Sequence, residues 1–455
     1  MDGSSRFVAD DRDIRHPTFE SSPNPMRPLS KLLLCSTASV VSSMAGSSCV
    51  ADETPAIIHE YTLAPFSLQY FGYTAAELAE AQNNGLAVTD RPGIGSGLQR
   101  LAGNHYLSVT DRGPNLDRAD GNKAFPLPQF TPTIALFKAV SDSIVPLDLI
   151  PIVNELGQAV TGIPNGPADD STPYLTLDAT TPLAFNPDGM DIEDIHELPG
   201  GGYILVEEYG PSVVIVSATG EVLKRYIPAG KSVPGAHYPV SATLPSIFKS
   251  RRANRGFEAL AVSDDGHTAY TMVQSPMGST SVGSPYRDSR VIRILRMDVS
   301  DPLNLQITGE FVMLMQPISE FSAGAQRDLK ISSAAWISND RLLVVEASDL
   351  APAKVVVVDL TQATDVKNLP SGSALPLVFE DVNANLGSLG VAPAATAMVL
   401  DIGVQFPQIT ARKLEGLSIL NANEISISND NDFGIGAEPD APTKVWTIRL
   451  GTSLR

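Results

Sequence analysis

Short runs of apolar and β-branched residues, each closed by Gly, Asp or Asn, recur along this chain, a pattern that predicts strands joined by tight turns. Five segments repeat one plan. The first is SGLQRLAGNHYLSVTDRGP (96–114) with TPTIALFKAV (131–140), and the second is DIEDIHELPGGGYILVEEYGPSVVIV (191–216) with VLKRYI (222–227). The third is GFEALAVSDDGHTAYTMVQSP (256–276) with RVIRILRMDV (290–299), the fourth ISSAAWISNDRLLVVEAS (331–348) with KVVVVDL (354–360), and the fifth KLEGLSILNANEISISNDND (413–432) with KVWTIRL (444–450). In each, a first strand turns back into a second, and a third rich in β-branched residues follows.

A unit of three or four antiparallel strands cannot bury both faces alone, so repeated units stack radially. The expectation is an all-β fold, a β-propeller of four-stranded antiparallel blades. The fifth unit ends at its third strand, while IHEYTLAPFSLQY (58–70) is strand-like and belongs to no unit. It can close the ring as the missing outer strand. This favours five blades, although a sixth could lie in the intervals 141–190 or 361–411. The Pro-, Gly-, Ala- and Ser-rich insertions at 113–130, 155–185, 228–255 and 376–411 should be loops on the propeller faces.

Composition supports strands over long helices: 43% of the 455 residues are hydrophobic, with 35 Gly and 35 Pro. The net charge of −19 lies outside residues 1–50, where five basic and five acidic residues cancel. No Lys/Arg stripe of useful size occurs, so nucleic acid is not an expected partner. Residues 26–51 have the parts of a secretory signal: Arg27 and Lys31, an apolar stretch from Leu32, then small residues. Residues 1–25 would be an extension or a mis-assigned start, and 56–455 a single exported propeller domain, periplasmic or extracellular and expected to be monomeric. No later segment is long and apolar enough to span a bilayer. The two cysteines, Cys35 and Cys49, both fall in the leader, which removes thiol chemistry from the body; Cys49 could carry a lipid anchor.

Alignment of the five units brings Ser96, Glu193, Glu258, Ser333 and Glu415 to one position on the first strand, which lines the central channel of a propeller. The end of the second strand adds Asp111, Glu207 with Glu208, Gln274, Glu346, and Asp430 with Asp432. Carboxylates gathered on one axis repel each other unless protons or a cation neutralise them. The oxygen-rich set, with six His in the chain and none in a zinc-binding spacing, matches calcium better than zinc, with magnesium or manganese next. The expected metal ligands are Glu193, Glu208, Glu258, Glu346, Glu415 and Asp430. The same carboxylates could instead anchor loops by accepting backbone N–H groups.

Basic residues precede these inner strands: Arg251, Arg252 and Arg255 before Glu258, Lys330 before Ser333, and Arg412 and Lys413 before Glu415. Arg112 follows Asp111. Arg255, Lys330, Arg412 and Lys413 are therefore candidates for holding a small anionic substrate, and Asp111, Arg112 and Glu258 for the chemistry; simple ion pairing is the alternative. No GxSxG elbow and no P-loop occurs.

The stretches RGFEALAVSDDGHTAY, KLEGLSIL followed by ISNDND, LSVTDRGP, and GMDIEDI with GGGYILVEEYGPSVVIV resemble the phytase-like propeller proteins credited with esterase-like activity of phytase, over about residues 85–450. The resemblance implies an exported propeller with phosphoesterase activity and, by analogy to propeller phytases, calcium. On it, Glu193, Glu258 and Glu415 match a repeated E-G/A-L position and Asp111-Arg112-Gly113 a DRG motif. Two departures stand out: Ser332-Ser333 where an acid is expected, and Asp194 where Gly is usual. The resulting expectation is a calcium-dependent phosphoric ester hydrolase. Hydrolysis of a lactone or carboxylic ester at the same metal is the second reading, and a non-enzymatic binding propeller the third.

Overall fold

A computed structural model describes residues 54–455 apart from 371, 375 and 436–440. The leader, the 1–25 extension and both cysteines lie outside the described residues.

Hydrogen bonding groups the main strands into five successive sets of four. Unit 1 contains Ile94–Arg100, His105–Thr110, Thr133–Val140 and Ser143–Pro151; unit 2 contains Ile192–Glu197, Tyr203–Glu207, Ser212–Val216 and Val222–Pro228, plus a fifth strand, Val240–Leu244. Unit 3 contains Phe257–Val262, Thr268–Val273, Val291–Asp298 and Gln306–Leu314, and unit 4 contains Lys330–Ser338, Arg341–Ser348, Ala351–Asp359 and Ala395–Asp401. In unit 5, Leu414–Asn421, Glu424–Asn429 and Lys444–Arg449 are completed by Ala56–Leu63 from the other end of the chain. The innermost strands meet in cyclic order 1-2-3-4-5-1 around a channel, so the fold is a β-propeller.

The clasp is the one the chain's pattern predicts. Ala56–Leu63 runs antiparallel to Lys444–Arg449 and touches unit 1 through a parallel pairing of Thr62–Leu63 with Ser143–Ile144. Glu60 fixes it, receiving the Lys444 ammonium at 2.6 Å and the Trp446 indole N–H at 2.9 Å. The intervals 141–190 and 361–411 supply the fourth strands of units 1 and 4, and among the described residues neither forms a four-stranded set of its own. Between the sheets lie apolar layers of Val, Ile, Leu and Phe, the largest spanning units 2, 3 and 4.

One irregularity recurs in every innermost strand. The pairing of the first two strands skips one residue: Gly95 in unit 1, Glu193 in unit 2, Glu258 in unit 3, Ser332 in unit 4 and Glu415 in unit 5. Each is a β-bulge, which leaves one residue unpaired and re-aims its side chain. The equivalent residues in units 1 and 4 are thus Gly95 and Ser332, one position before the Ser96 and Ser333 expected from sequence. Gly95 has no room for a side chain, since a Cβ there would come 2.7 Å from the Asp430 Cα, and Ser332 turns its hydroxyl onto the Leu414 carbonyl at 2.6 Å.

Candidate functional site

The bulges set a register from which the site can be read. Two residues before each bulge stand Gly93, Asp191, Gly256, Lys330 and Lys413. Opposite them stand Asp111, Glu208, Gln274, Ala347 and Asp430, each just past the end of the second strand except Ala347, which is paired within it. Backbone hydrogen bonds confirm the match across units: Glu208 N–H donates to the Asp191 carbonyl at 2.9 Å, Gln274 N–H to Gly256 at 2.8 Å, and Asp430 N–H to Lys413 at 3.0 Å.

Five of these positions, Asp111, Glu208, Gln274, Lys330 and Lys413, reach a cavity of about 470 Å³ at one end of the channel. Asp111, Arg112, Glu193, Glu208, Arg255, Glu258, Lys330, Lys413 and Glu415 all line it, with Gln274, Asp349 and Asp432. The insertion between the second and third strands of unit 1 contributes Asn115, Asp117 and Lys123, the last two carried on a small sheet of Leu116–Asp117, Lys123–Ala124 and Pro173–Tyr174.

Three expected residues do not line the cavity: Glu346, Arg412 and Asp430, the last of which pairs with the lining Lys413 at 3.0 Å. Glu346 is paired opposite Ile331, as Glu207 is opposite Ile192, one residue short of the channel-facing position. A single step along a strand reverses the face. Glu346 consequently sits fully buried away from the cavity, accepting the Gln316 N–H at 2.9 Å, while Glu207 binds the buried Arg225 guanidinium at 2.8 Å. Arg412 does not line the cavity either; its neighbour Lys413 takes the equivalent place.

At this cavity two groups of carboxylate oxygens lie within 4.8 Å of one another: Asp191, Glu193 and Glu208, and Asp111, Asp430 and Asp432, of which Asp191 and Asp430 are not lining residues. They are held differently. Glu208 is 2% exposed, and its Oε1 has no hydrogen-bond partner. Asp191 receives the Arg112 backbone N–H at 3.1 Å and its guanidinium at 3.3 Å. In the other group the Lys413 ammonium lies 2.6 Å from Asp432 and 3.0 Å from Asp430, with Glu415 at 3.5 Å.

Burial and like charge drive Glu193, Glu208, Glu258 and Glu415 toward their neutral forms. Burial, then the charge of Glu258, holds Glu193 and Glu208 well above the carboxylate range. Burial and Glu415 push Glu258 up to about 8, although the Gln274 amide donates to its Oε2 at 2.7 Å. Glu415 is pushed to about 7 by burial and by Asp430, against the pull of Lys413. Arg112 is committed: one terminal nitrogen reaches Asn254 at 2.6 Å and Asp170 at 2.8 Å. Lys330 pairs with Asp349 at 2.9 Å, and Arg255 donates to the Ser275 hydroxyl at 2.9 Å.

Asp191, Asn254 and Asp349 were not singled out from sequence. Asp191 carried a signal, since it precedes Glu193 by two residues as Lys413 precedes Glu415.

The family model for "Phytase-like: Esterase-like activity of phytase" matches residues 91–433, most of the chain. The chain belongs to that family. A relative of this phytase-like chain, an uncharacterized secreted protein of Arthroderma benhamiae, is 30% identical over 125 residues, which is 24% of each protein. Among solved structures, the phytase-like chain is similar to an aldose sugar dehydrogenase from Streptomyces coelicolor (10% identity, 87% of this chain and 98% of that one, TM-score 0.33). It is also similar to an arabinoxylan arabinofuranohydrolase from Bacillus subtilis (10% identity, 79% of this chain and 63% of that one, TM-score 0.37). Among the described residues no helix is long and apolar enough to cross a membrane.

Proposed function

We propose that this phytase-like protein is an exported, calcium-dependent phosphoric ester hydrolase whose ion is held by Asp191, Glu193 and Glu208. The observation that carries this reading is the Glu208 Oε1, buried and without a partner in an all-oxygen cluster. A buried oxygen left unsatisfied is costly, and a hard divalent cation with oxygen preference fits such a set. Bound there, the ion would polarise a phosphoryl oxygen and acidify a water molecule.

The chain's own residues supply the rest. Arg255 and Lys330 hold the anion. Arg112 keeps Asp191 in place through two contacts. Glu258 lines the same cavity outside either tight cluster, and with burial and Glu415 raising it to about 8 it is a proton donor for the leaving oxygen at neutral pH. The leader pattern at 26–51 and the description of the Arthroderma relative as secreted support export.

A second reading, hydrolysis of a lactone or carboxylic ester, draws on the cavity's charge. Eight carboxylates line it (Asp111, Asp117, Glu193, Glu208, Glu258, Asp349, Glu415 and Asp432) against five cations, a balance less hostile to a neutral ester than to a dianion. The test is turnover of phytate, p-nitrophenyl phosphate, p-nitrophenyl acetate and a sugar lactone with calcium, manganese or EDTA. Calcium-stimulated release of phosphate, lost in Glu208→Gln, is expected. Activity indifferent to EDTA and to that substitution would reject the metal, and calcium-dependent heat stability without turnover would make the ion structural.

A further inference from the structure

Unit 5 repeats the three positions of the unit 2 cluster with different side chains. Position for position, Asp191, Glu193 and Glu208 of unit 2 correspond to Lys413, Glu415 and Asp430 of unit 5: two before the bulge, the bulge, and the residue past the end of the second strand. The backbone bond between first and last members is present in both, 2.9 Å in unit 2 and 3.0 Å in unit 5. One member differs in kind. Lysine for aspartate replaces a negative charge by a positive one, a change equal to the charge of one divalent cation.

The contacts follow that difference. In unit 2 the Glu208 Oε1, in a residue 2% exposed, has no partner. In unit 5 the Lys413 ammonium sits among Asp432, Asp430 and Glu415 at 2.6, 3.0 and 3.5 Å. Resting on the reading of unit 2 as the ion site, we propose that Lys413 is a tethered cation in the place of a second metal ion, so that the protein binds one divalent ion in the channel and unit 5 binds one only when Lys413 is removed. The other units lack the set. Unit 4 has Lys330 but Ser332 and Ala347, unit 3 has Gly256 and Gln274 around Glu258, and unit 1 has Gly93 and Gly95 with Asp111.

The experiment is calcium titration by isothermal calorimetry on the whole protein, with stoichiometry as the readout. Wild type should bind one equivalent and Lys413→Asp two, while Lys330→Asp, which adds an acid where the other two ligands are missing, should still bind one. Lys413→Met serves as a second variant that leaves three carboxylates without an added charge and should also bind a second equivalent, more weakly. Two equivalents in wild type, or one equivalent in folded Lys413→Asp and Lys413→Met, would overturn the proposal. Absence of binding in wild type would instead remove the unit 2 site on which it rests; a second equivalent in Lys330→Asp would show that any added acid suffices and would overturn it too.

Discussion

Glu193 and Asp194 are consecutive residues that line different cavities: Glu193 the acidic one, and Asp194 a second of about 620 Å³ toward the far end of the inner strands. Asp194 accepts the backbone N–H of Ile195 at 2.8 Å and, from the neighbouring unit 3, that of Leu260 at 2.9 Å. It ties unit 2 to unit 3. Asp194→Ala leaves these buried donors without their acceptor and should cost about 2–3 kcal/mol in urea unfolding, with calcium binding retained. Glu193→Gln should do the reverse, lowering calcium affinity at least tenfold with little change in unfolding without calcium.

A similar contrast separates Glu207 from Glu208. Glu207→Ala strands the Arg225 guanidinium, which is fully buried and 2.8 Å away, at a cost of about 3–5 kcal/mol. Glu208→Gln should melt within a few degrees of wild type in the absence of calcium and lose the calcium-induced rise in melting temperature. Equal destabilisation by both would show that Glu208 is structural.

Gly95→Ala should destabilise by about 2–4 kcal/mol, because the added methyl meets the backbone of Asp430. At the equivalent bulge of unit 4, Ser332→Ala loses only the hydrogen bond to Leu414, about 1 kcal/mol. Chemical denaturation of the two variants measures the difference.

Burial raises Glu346 from its ordinary 4.5 to about 7. The fold therefore favours the protonated acid, a contribution complete below about pH 4.5 and lost as pH rises through about 7. Glu346→Gln can keep the acceptor for Gln316 without the titration. The melting temperature of the variant relative to wild type should climb between pH 4.5 and pH 8, and a flat difference would show that Glu346 does not titrate in this window.

Removing residues 54–63 takes away the fourth strand of unit 5 and exposes the edge of Lys444–Arg449. The melting temperature should fall by more than 10 °C, since a ring held by side-chain contacts alone lacks its hydrogen-bonded closure. An unchanged melt would mean that the clasp is dispensable.

The chain's own pattern determined the class of fold, the five repeats and the clasp, because apolar alternation and turn chemistry are local and survive in one dimension. It also placed Glu193, Glu258, Glu415, Asp111, Arg112, Arg255, Lys330 and Lys413 near the axis. Only the tertiary structure decided register. A bulge shifts pairing by one residue without altering composition, and one residue reverses the face of a strand. That single step sent Glu346 into the interior, moved the unit 1 and unit 4 equivalents to Gly95 and Ser332, and brought Asp191 beside Glu208. The contrast between the Glu208 Oε1, without a partner, and the carboxylates that Lys413 contacts depends on side-chain distances across the strands of units 2 and 5, which no run of neighbours in the sequence records.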